Sequence, residues 1–197
     1  VIENEETFTA ANYTVMIRDE GGKINLNTVP PGVLEHFFAS LSQQGVARET
    51  QPEDWIAGIL YWRGGSWIKK KAQNDAYYKK APFESLEELY LIPEIVREDI
   101  ELLEPFFTVF PVIKAGVFQI NVNTAPLILL EALITSLPGD LQAQRTILGG
   151  LIQLREAEDP NLSPYLTKGD MNAQSLLARI GISASDRYVS AASQILT

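Results

Sequence analysis

Apolar residues along the chain fall into short alternating runs and longer stripes at helical spacing, and the two patterns take turns. Tyr13-Thr14-Val15-Met16-Ile17-Arg18 alternates and is rich in β-branched residues, which predicts a strand. Asp19-Glu20-Gly21-Gly22 reads as a turn and Lys23 to Asn27 as a second strand, so the two strands are expected to form a hairpin. Residues 1–12, acidic and threonine-rich, read as a lead-in helix end or loop. Val33, Leu34, Phe37, Phe38 and Leu41 then make the stripe of a helix, with Thr28 as its expected N-cap and Pro30 and Pro31 in its first turn. After a polar linker (42–51), Pro52 to Trp62 predicts a helix that turns Trp55, Ile56, Ile59, Leu60 and Trp62 inwards and stops at Arg63-Gly64-Gly65.

Residues 64–82 form a long loop, a length that points to function or to hidden support. Ser85 with Glu88 three residues on has the form of a capping box, for a helix carrying Leu86, Leu89, Tyr90 and Ile92 up to Pro93. A short helix over 94–103 and a strand over 106–110 follow. The stretch 116–123 leads into a strand and a Thr124-capped helix, and 142–156 into a further helix. A loop (157–170), a helix (171–180) and a strand (187–196) complete the expected series, and the whole reads as α+β.

Within this series one phrase occurs twice. Ile24-Asn25-Leu26-Asn27-Thr28-Val29-Pro30, running on to Ser40-Leu41, returns as Ile120-Asn121-Val122-Asn123-Thr124-Ala125-Pro126, running on to Ser136-Leu137. Nine of the eighteen aligned positions are identical without a gap. Such a repeat implies that one supersecondary unit is used twice.

Composition narrows the functions. The 197 residues carry a net charge of −9 and no cysteine. That charge repels phosphate backbones and argues against a general nucleic-acid role. Without cysteine there is no disulfide framework, thiolate nucleophile or thiolate zinc site. The single histidine, His36, excludes a multi-histidine metal site, and Ala132 stands at its place in the second copy. No apolar run reaches the ~18 residues of a membrane helix, and the chain does not open on a signal peptide. Val1 in place of Met points to an upstream segment.

The sharpest chemistry lies in the Asn-x-Asn-Thr phrase. Asn25 and Asn27, and likewise Asn121 and Asn123, bracket an apolar residue and share one strand face. Their amides suit backbone bonds in a strand-to-helix corner that Thr28 or Thr124 caps, a structural role; the other role is ligand binding. Such phrases also introduce helix–hairpin–helix modules that hold a DNA phosphate. Those need a Gly–apolar–Gly hairpin, and Leu137-Pro138-Gly139-Asp140 and Leu91-Ile92-Pro93-Glu94 lack it. Acidic runs such as Glu87-Glu88 and Glu98-Asp99 read as solvated faces and helix first turns. In the long loop Asn74 and Asp75 are weak candidates for calcium ligation, opposed by Lys69, Lys70 and Lys71. Trp62, Trp67, Tyr77 and Tyr78 flank the same loop, either as a partner contact or as the loop's own packing.

Several of these residues, in this order, resemble the type II secretion system minor pseudopilin K family. They are Tyr13 to Ile17, Asp19 to Thr28, Trp62-Arg63, Asp75 to Tyr78, Pro82-Phe83-Glu84-Ser85-Leu86-Glu87-Glu88-Leu89 and Ile120 to Pro126. The resemblance implies the periplasmic part of an inner-membrane-anchored bacterial protein whose N-terminal membrane helix lies outside the sequence. It implies a helix-rich domain with two strand–helix (SAM-like) repeats inserted in or packed on a small pilin-like β-sheet. Residues 1–27 would start that sheet, 28–110 form the first helical unit, and 111–197 form the second and return toward the sheet, with closing strands truncated. It further implies a non-enzymatic protein at the pseudopilus tip, acting with I-like and J-like minor pseudopilins, and meeting exported substrates. The family's calcium loop begins at an Asp-Trp pair, where this chain has Tyr61-Trp62-Arg63-Gly64-Gly65. The alternative function is a helix–hairpin–helix-like nucleic-acid-binding or competence-pilus module.

Overall fold

The computed structural model describes residues 6–10, 13–46, 48–71, 75–110, 118–137 and 141–156. The elements over 171–180 and 187–196 expected from sequence lie outside them. Strands β1 (Glu6–Ala10) and β2 (Tyr13–Ile17) pair antiparallel, with Phe8 opposite Val15. After a 3-10 turn at Glu20–Gly22 comes β3 (Ile24–Asn25), then the helices α1 (Pro31–Gln43) and α2 (Pro52–Trp62). Further 3-10 turns at Asp75–Tyr77 and Leu86–Leu91 lead to α3 (Arg97–Leu103) and, through Glu104–Phe106, to β4 (Phe107–Thr108). Helices α4 (Leu127–Ser136) and α5 (Leu141–Glu156) follow. The described chain is therefore mostly helical, with small strand pairs, and belongs loosely to the α+β class. None of its described helices is long and apolar enough to cross a membrane.

Strand pairing departs from the expected hairpin. β2 pairs with β1, part of the stretch expected to be a helix end or loop, while β3 pairs in parallel with β4, Ile24 opposite Phe107 and Asn25 opposite Thr108. Asp19–Gly22 does not fold β2 back onto β3. Asp19 instead accepts the Gly21 N–H (2.9 Å) and the chain turns through a 3-10 helix. The capping expectations fail as well. Both repeat helices start after a proline, Pro30 and Pro126, and neither end has a side-chain cap bond. The cap position falls on the proline, whose carbonyl accepts an early helix N–H (Val33 to Pro30, 3.1 Å; Leu129 to Pro126, 2.9 Å), and the threonine two residues earlier lies outside the helix start. Ser85 does not close a capping box: Glu88 takes the N–H of Glu84 (2.9 Å) and the segment winds as a 3-10 helix.

The helical stripes bury as the periodicity requires. Val33, Leu34, Phe37, Phe38 and Leu41 of α1 are buried, with Trp55, Ile56, Ile59, Leu60 and Trp62 of α2. α1 packs against α2 and, over a longer contact, against its repeat counterpart α4. The first half is stacked with rings: Phe37 lies 5.8 Å from Phe107, Phe107 lies 5.8 Å from Trp55, and Trp55 lies 5.9 Å from Phe38. The second half is aliphatic, with Leu129, Leu130, Leu133 and Ile134 of α4 and Ile147 and Leu151 of α5 in the same cluster. Burial of each such side chain contributes about 1.5–3 kcal/mol. β4 brings Phe107 into the ring cluster and thereby ties the parallel strand pair to both helices of the first half.

Candidate functional site

Each repeat corner is built by the same local chemistry. In the first copy the Asn25 side-chain oxygen accepts the N–H of Asn27 (2.9 Å), and the Asn25 carbonyl accepts the N–H of Val29 (3.0 Å). In the second, Asn121 accepts the N–H of Asn123 (3.1 Å), and its carbonyl accepts the N–H of Ala125 (2.9 Å). This asparagine turn ends the extended segment and aims the chain at its helix, as short side-chain amides do in turns.

An arginine at the end of the second helix closes each corner. Arg63, just past α2, donates to the carbonyls of Leu26 (2.8 Å) and Val29 (2.7 Å). Arg155, in the last turn of α5, donates to the carbonyl of Ala125 (2.9 Å), which aligns with Val29 in the repeat. Burial pulls both guanidinium groups below their ordinary pKa, while the charge-assisted bonds to main-chain carbonyls favour the charged form and fix each side chain in place. The internal repeat thus extends past the eighteen-residue phrase to two packed helices and a terminal arginine. The eighteen-residue alignment missed this pair because the helix connections differ in length; an arginine at the end of each second helix was the available signal.

Beyond the turn the copies diverge. Asn27 uses its side chain as a peptide-like clasp: its amide donates to the Phe83 carbonyl (2.9 Å) and its oxygen accepts the Phe83 N–H (2.7 Å). That clasp fixes the end of the long loop to the first corner. Asn121 and Thr124 instead reach the turn after β2. The Asn121 amide and the Thr124 hydroxyl donate to one Asp19 oxygen (2.7 and 2.5 Å), and the Asn121 N–H donates to the Gly21 carbonyl (2.7 Å). A Cβ on Gly22 would stand 2.8 Å from the Thr124 carbonyl carbon, so only glycine permits this approach. Partial burial alone would raise the Asp19 carboxyl, but the bonds from Thr124, Gly21 and Asn121 outweigh it and hold its pKa below the ordinary value. Thr28, the counterpart of Thr124, has a buried hydroxyl with no hydrogen-bond partner among the described residues.

The loop is supported from beneath. Trp62 donates its indole N–H to Glu88 (2.6 Å) and packs 6.1 Å from Phe83; Tyr78 donates to Glu94 (2.6 Å) and packs 5.6 Å from Tyr61. Burial first, then the Glu94 carboxylate, push the Tyr78 phenol well above its usual pKa. Trp62, Trp67 and Tyr78 are buried in the chain's own core; Tyr77 alone of the four is exposed, at 65%. Lys70 pairs with Asp54 of α2. Of the calcium candidates, Asp75 opens the 3-10 turn Asp75–Tyr77 and Asn74 lies outside the described residues. Among the described residues no group of three or more histidine, aspartate or glutamate side chains is placed to hold a metal.

A second long-range tie joins the linker to α3. Buried Asp99 accepts the N–H groups of Glu49 (3.1 Å) and Thr50 (2.6 Å), and Thr50 accepts the N–H of Val96 (3.0 Å). Asp99 lies in the first turn of α3, as the acidic run Glu98-Asp99 predicts, but it is buried against the linker and not solvated.

No protein-family model matches the chain, and neither a curated protein nor a solved structure does.

Proposed function

We propose that this chain is the periplasmic portion of a non-enzymatic, K-type minor pseudopilin that works by capping a pseudopilus tip. Two lines support the reading. One is the ordered resemblance of the Asp19–Thr28, Pro82–Leu89 and Ile120–Pro126 segments to that family. The other, which carries it, is how the side chains of the duplicated corners are used: Asn25, Asn27, Asn121 and both arginines bond to main chain, and Thr124 to a neighbouring carboxylate. A corner whose polar groups are consumed internally acts as scaffolding for a bulky helical body. In this reading the two helix pairs are the SAM-like repeats and the strands are remnants of a pilin-like sheet. The helical body would block addition of further subunits above it while the strand side meets I-like and J-like minor pseudopilins below. Membrane anchorage would come from an N-terminal helix preceding this sequence.

The test is co-expression with an I-like and a J-like minor pseudopilin, followed by affinity capture of one partner and gel filtration. Co-elution of all three is expected. Co-elution of the I-like and J-like proteins without this chain would remove the assignment.

A further inference from the structure

The β1–β2 ribbon and the helical body meet at one short turn. β2 ends at Ile17, and the 3-10 turn Glu20–Gly22, capped by Asp19, leads into β3 at Ile24. Among the described elements, β1 and β2 make their substantial contacts with each other, while α1 packs against α2 and α4. A two-stranded ribbon is marginal on its own and needs fixing from outside.

That turn is gripped from the far half of the chain. Asp19 stands 102 positions before Asn121 and 105 before Thr124, yet one of its oxygens accepts from the Asn121 amide (2.7 Å) and the Thr124 hydroxyl (2.5 Å). Its other oxygen accepts the Gly21 N–H (2.9 Å), and the Gly21 carbonyl accepts the Asn121 N–H (2.7 Å). The carboxylate thus closes its own turn with one oxygen and ties that turn to the second corner with the other. Hydrogen bonds to an ionised acceptor are the stronger kind. Gly22 lets the two surfaces meet, since a Cβ there would stand 2.7 Å from the Thr124 hydroxyl oxygen. The Lys23–Glu20 ion pair braces the turn from within.

The grip is one-sided. Both copies make the asparagine turn alike, so the turn itself does not call for it. Asp19 lies five residues before Ile24, whereas the residue five before Ile120 is Ala115, which has no carboxylate. Thr28 correspondingly has a buried hydroxyl with no hydrogen-bond partner among the described residues, where Thr124 has Asp19. The first corner is tied instead to Phe83 and β4.

We infer that the second corner is a latch. By holding Asp19 and Gly21 it fixes the direction in which the β1–β2 ribbon leaves the helical body, and on release the ribbon swings about Gly21 and Gly22. A few small residues between packed elements suffice as such a hinge. The latch closes through polar bonds at an exposed carboxylate, so opening it leaves the buried helical stripes in place. It does not depend on the tip-capping role proposed above.

The chain has no cysteine, so a pair of spin labels can be placed without background. The experiment is a pulsed electron spin resonance distance measurement between labels at Thr14→Cys in β2 and Ala39→Cys, an exposed position of α1. The labelled parent should give one narrow distance distribution. Asp19→Ala should widen it about twofold, as a released hinge does. Thr124→Val spares the Asp19–Gly21 bond within the turn and should widen it in the same direction, but less. Thr28→Val, the same change in the other copy, should leave it as narrow as in the parent. Far-UV circular dichroism should show the helices intact in all three variants. Three results would overturn the inference: a broad distribution already in the parent, a distribution that Thr124→Val leaves unchanged whatever Asp19→Ala does, or equal widening by Thr28→Val and Thr124→Val.

Discussion

The two copies of the corner share a sequence and a turn, but they hold different things. The first copy is internal: Asn25 is buried, Asn27 clasps Phe83, and Arg63 covers two carbonyls. The second copy is peripheral: Asn121 and Thr124 grip Asp19, an exposed residue, and Arg155 covers one carbonyl. The Asn-x-Asn-Thr phrase therefore determines a turn and supplies spare amides and hydroxyls. What those spare groups hold is decided by which neighbour the topology brings alongside. The core shows the same division, with rings around Phe37 and Phe38 and aliphatic side chains at the matching Leu133 and Ile134.

The arginines should separate the copies most. Arg63→Met would leave the Leu26 and Val29 carbonyls without a donor, and we expect a loss of about 3 kcal/mol in urea unfolding. Arg155→Met, with one bond at a less buried site, should cost about 1 kcal/mol. Equal losses would mean that the two lids do not differ as their bonds do. Next, Gly22→Ala should cost about 1–3 kcal/mol, since its methyl group meets the Thr124 main chain. Hydrogen exchange should speed up at Asn121 N–H in that variant and leave Phe83 N–H protected; a uniform change would erase the distinction between the copies.

Smaller effects sharpen the contrast at the threonines. Thr124→Val should cost about 1 kcal/mol through the lost Asp19 bond, whereas Thr28→Val should be neutral or mildly stabilising, because it removes a buried hydroxyl that has no partner. Matched thermal melts of the two variants would test this, and a Thr28→Val loss as large as that of Thr124→Val would contradict it. The smallest effect is one of pH. Asp19 has a folded-state pKa below its ordinary value, so its contribution is fully present above the unfolded value of about 3.9 and fades as pH falls through the folded value. Asp19→Asn should flatten that part of the acid unfolding profile; an unchanged profile would show that the carboxylate is not what ties the second copy down.

The helices were legible in the sequence because their stripes are long and periodic: α2 begins and ends where Pro52 and Trp62 indicated, and each apolar residue assigned inwards is buried. The strand partners were not. β3 and β4 are two residues each and lie far apart in the chain, so no local pattern carries their pairing. The threonine caps were misjudged because a proline at the cap supplants them. Of the corner, the asparagines were legible and their turns were foreseen as backbone bonding, whereas Arg63, Arg155, Asp19 and Phe83 were not, since their contacts cross the fold. The loop aromatics gave no sequence signal to separate buried Trp67 and Tyr78 from exposed Tyr77.

The central claim is that the polar groups of the repeated corners serve the fold and are not held open for a ligand. Side-chain amide exchange of Asn27, read by nitrogen-resolved NMR beside the Phe83 N–H, tests it most directly. We predict that both are protected and that they exchange together. An Asn27 amide exchanging as freely as one in a disordered peptide, while Phe83 stays protected, would contradict it.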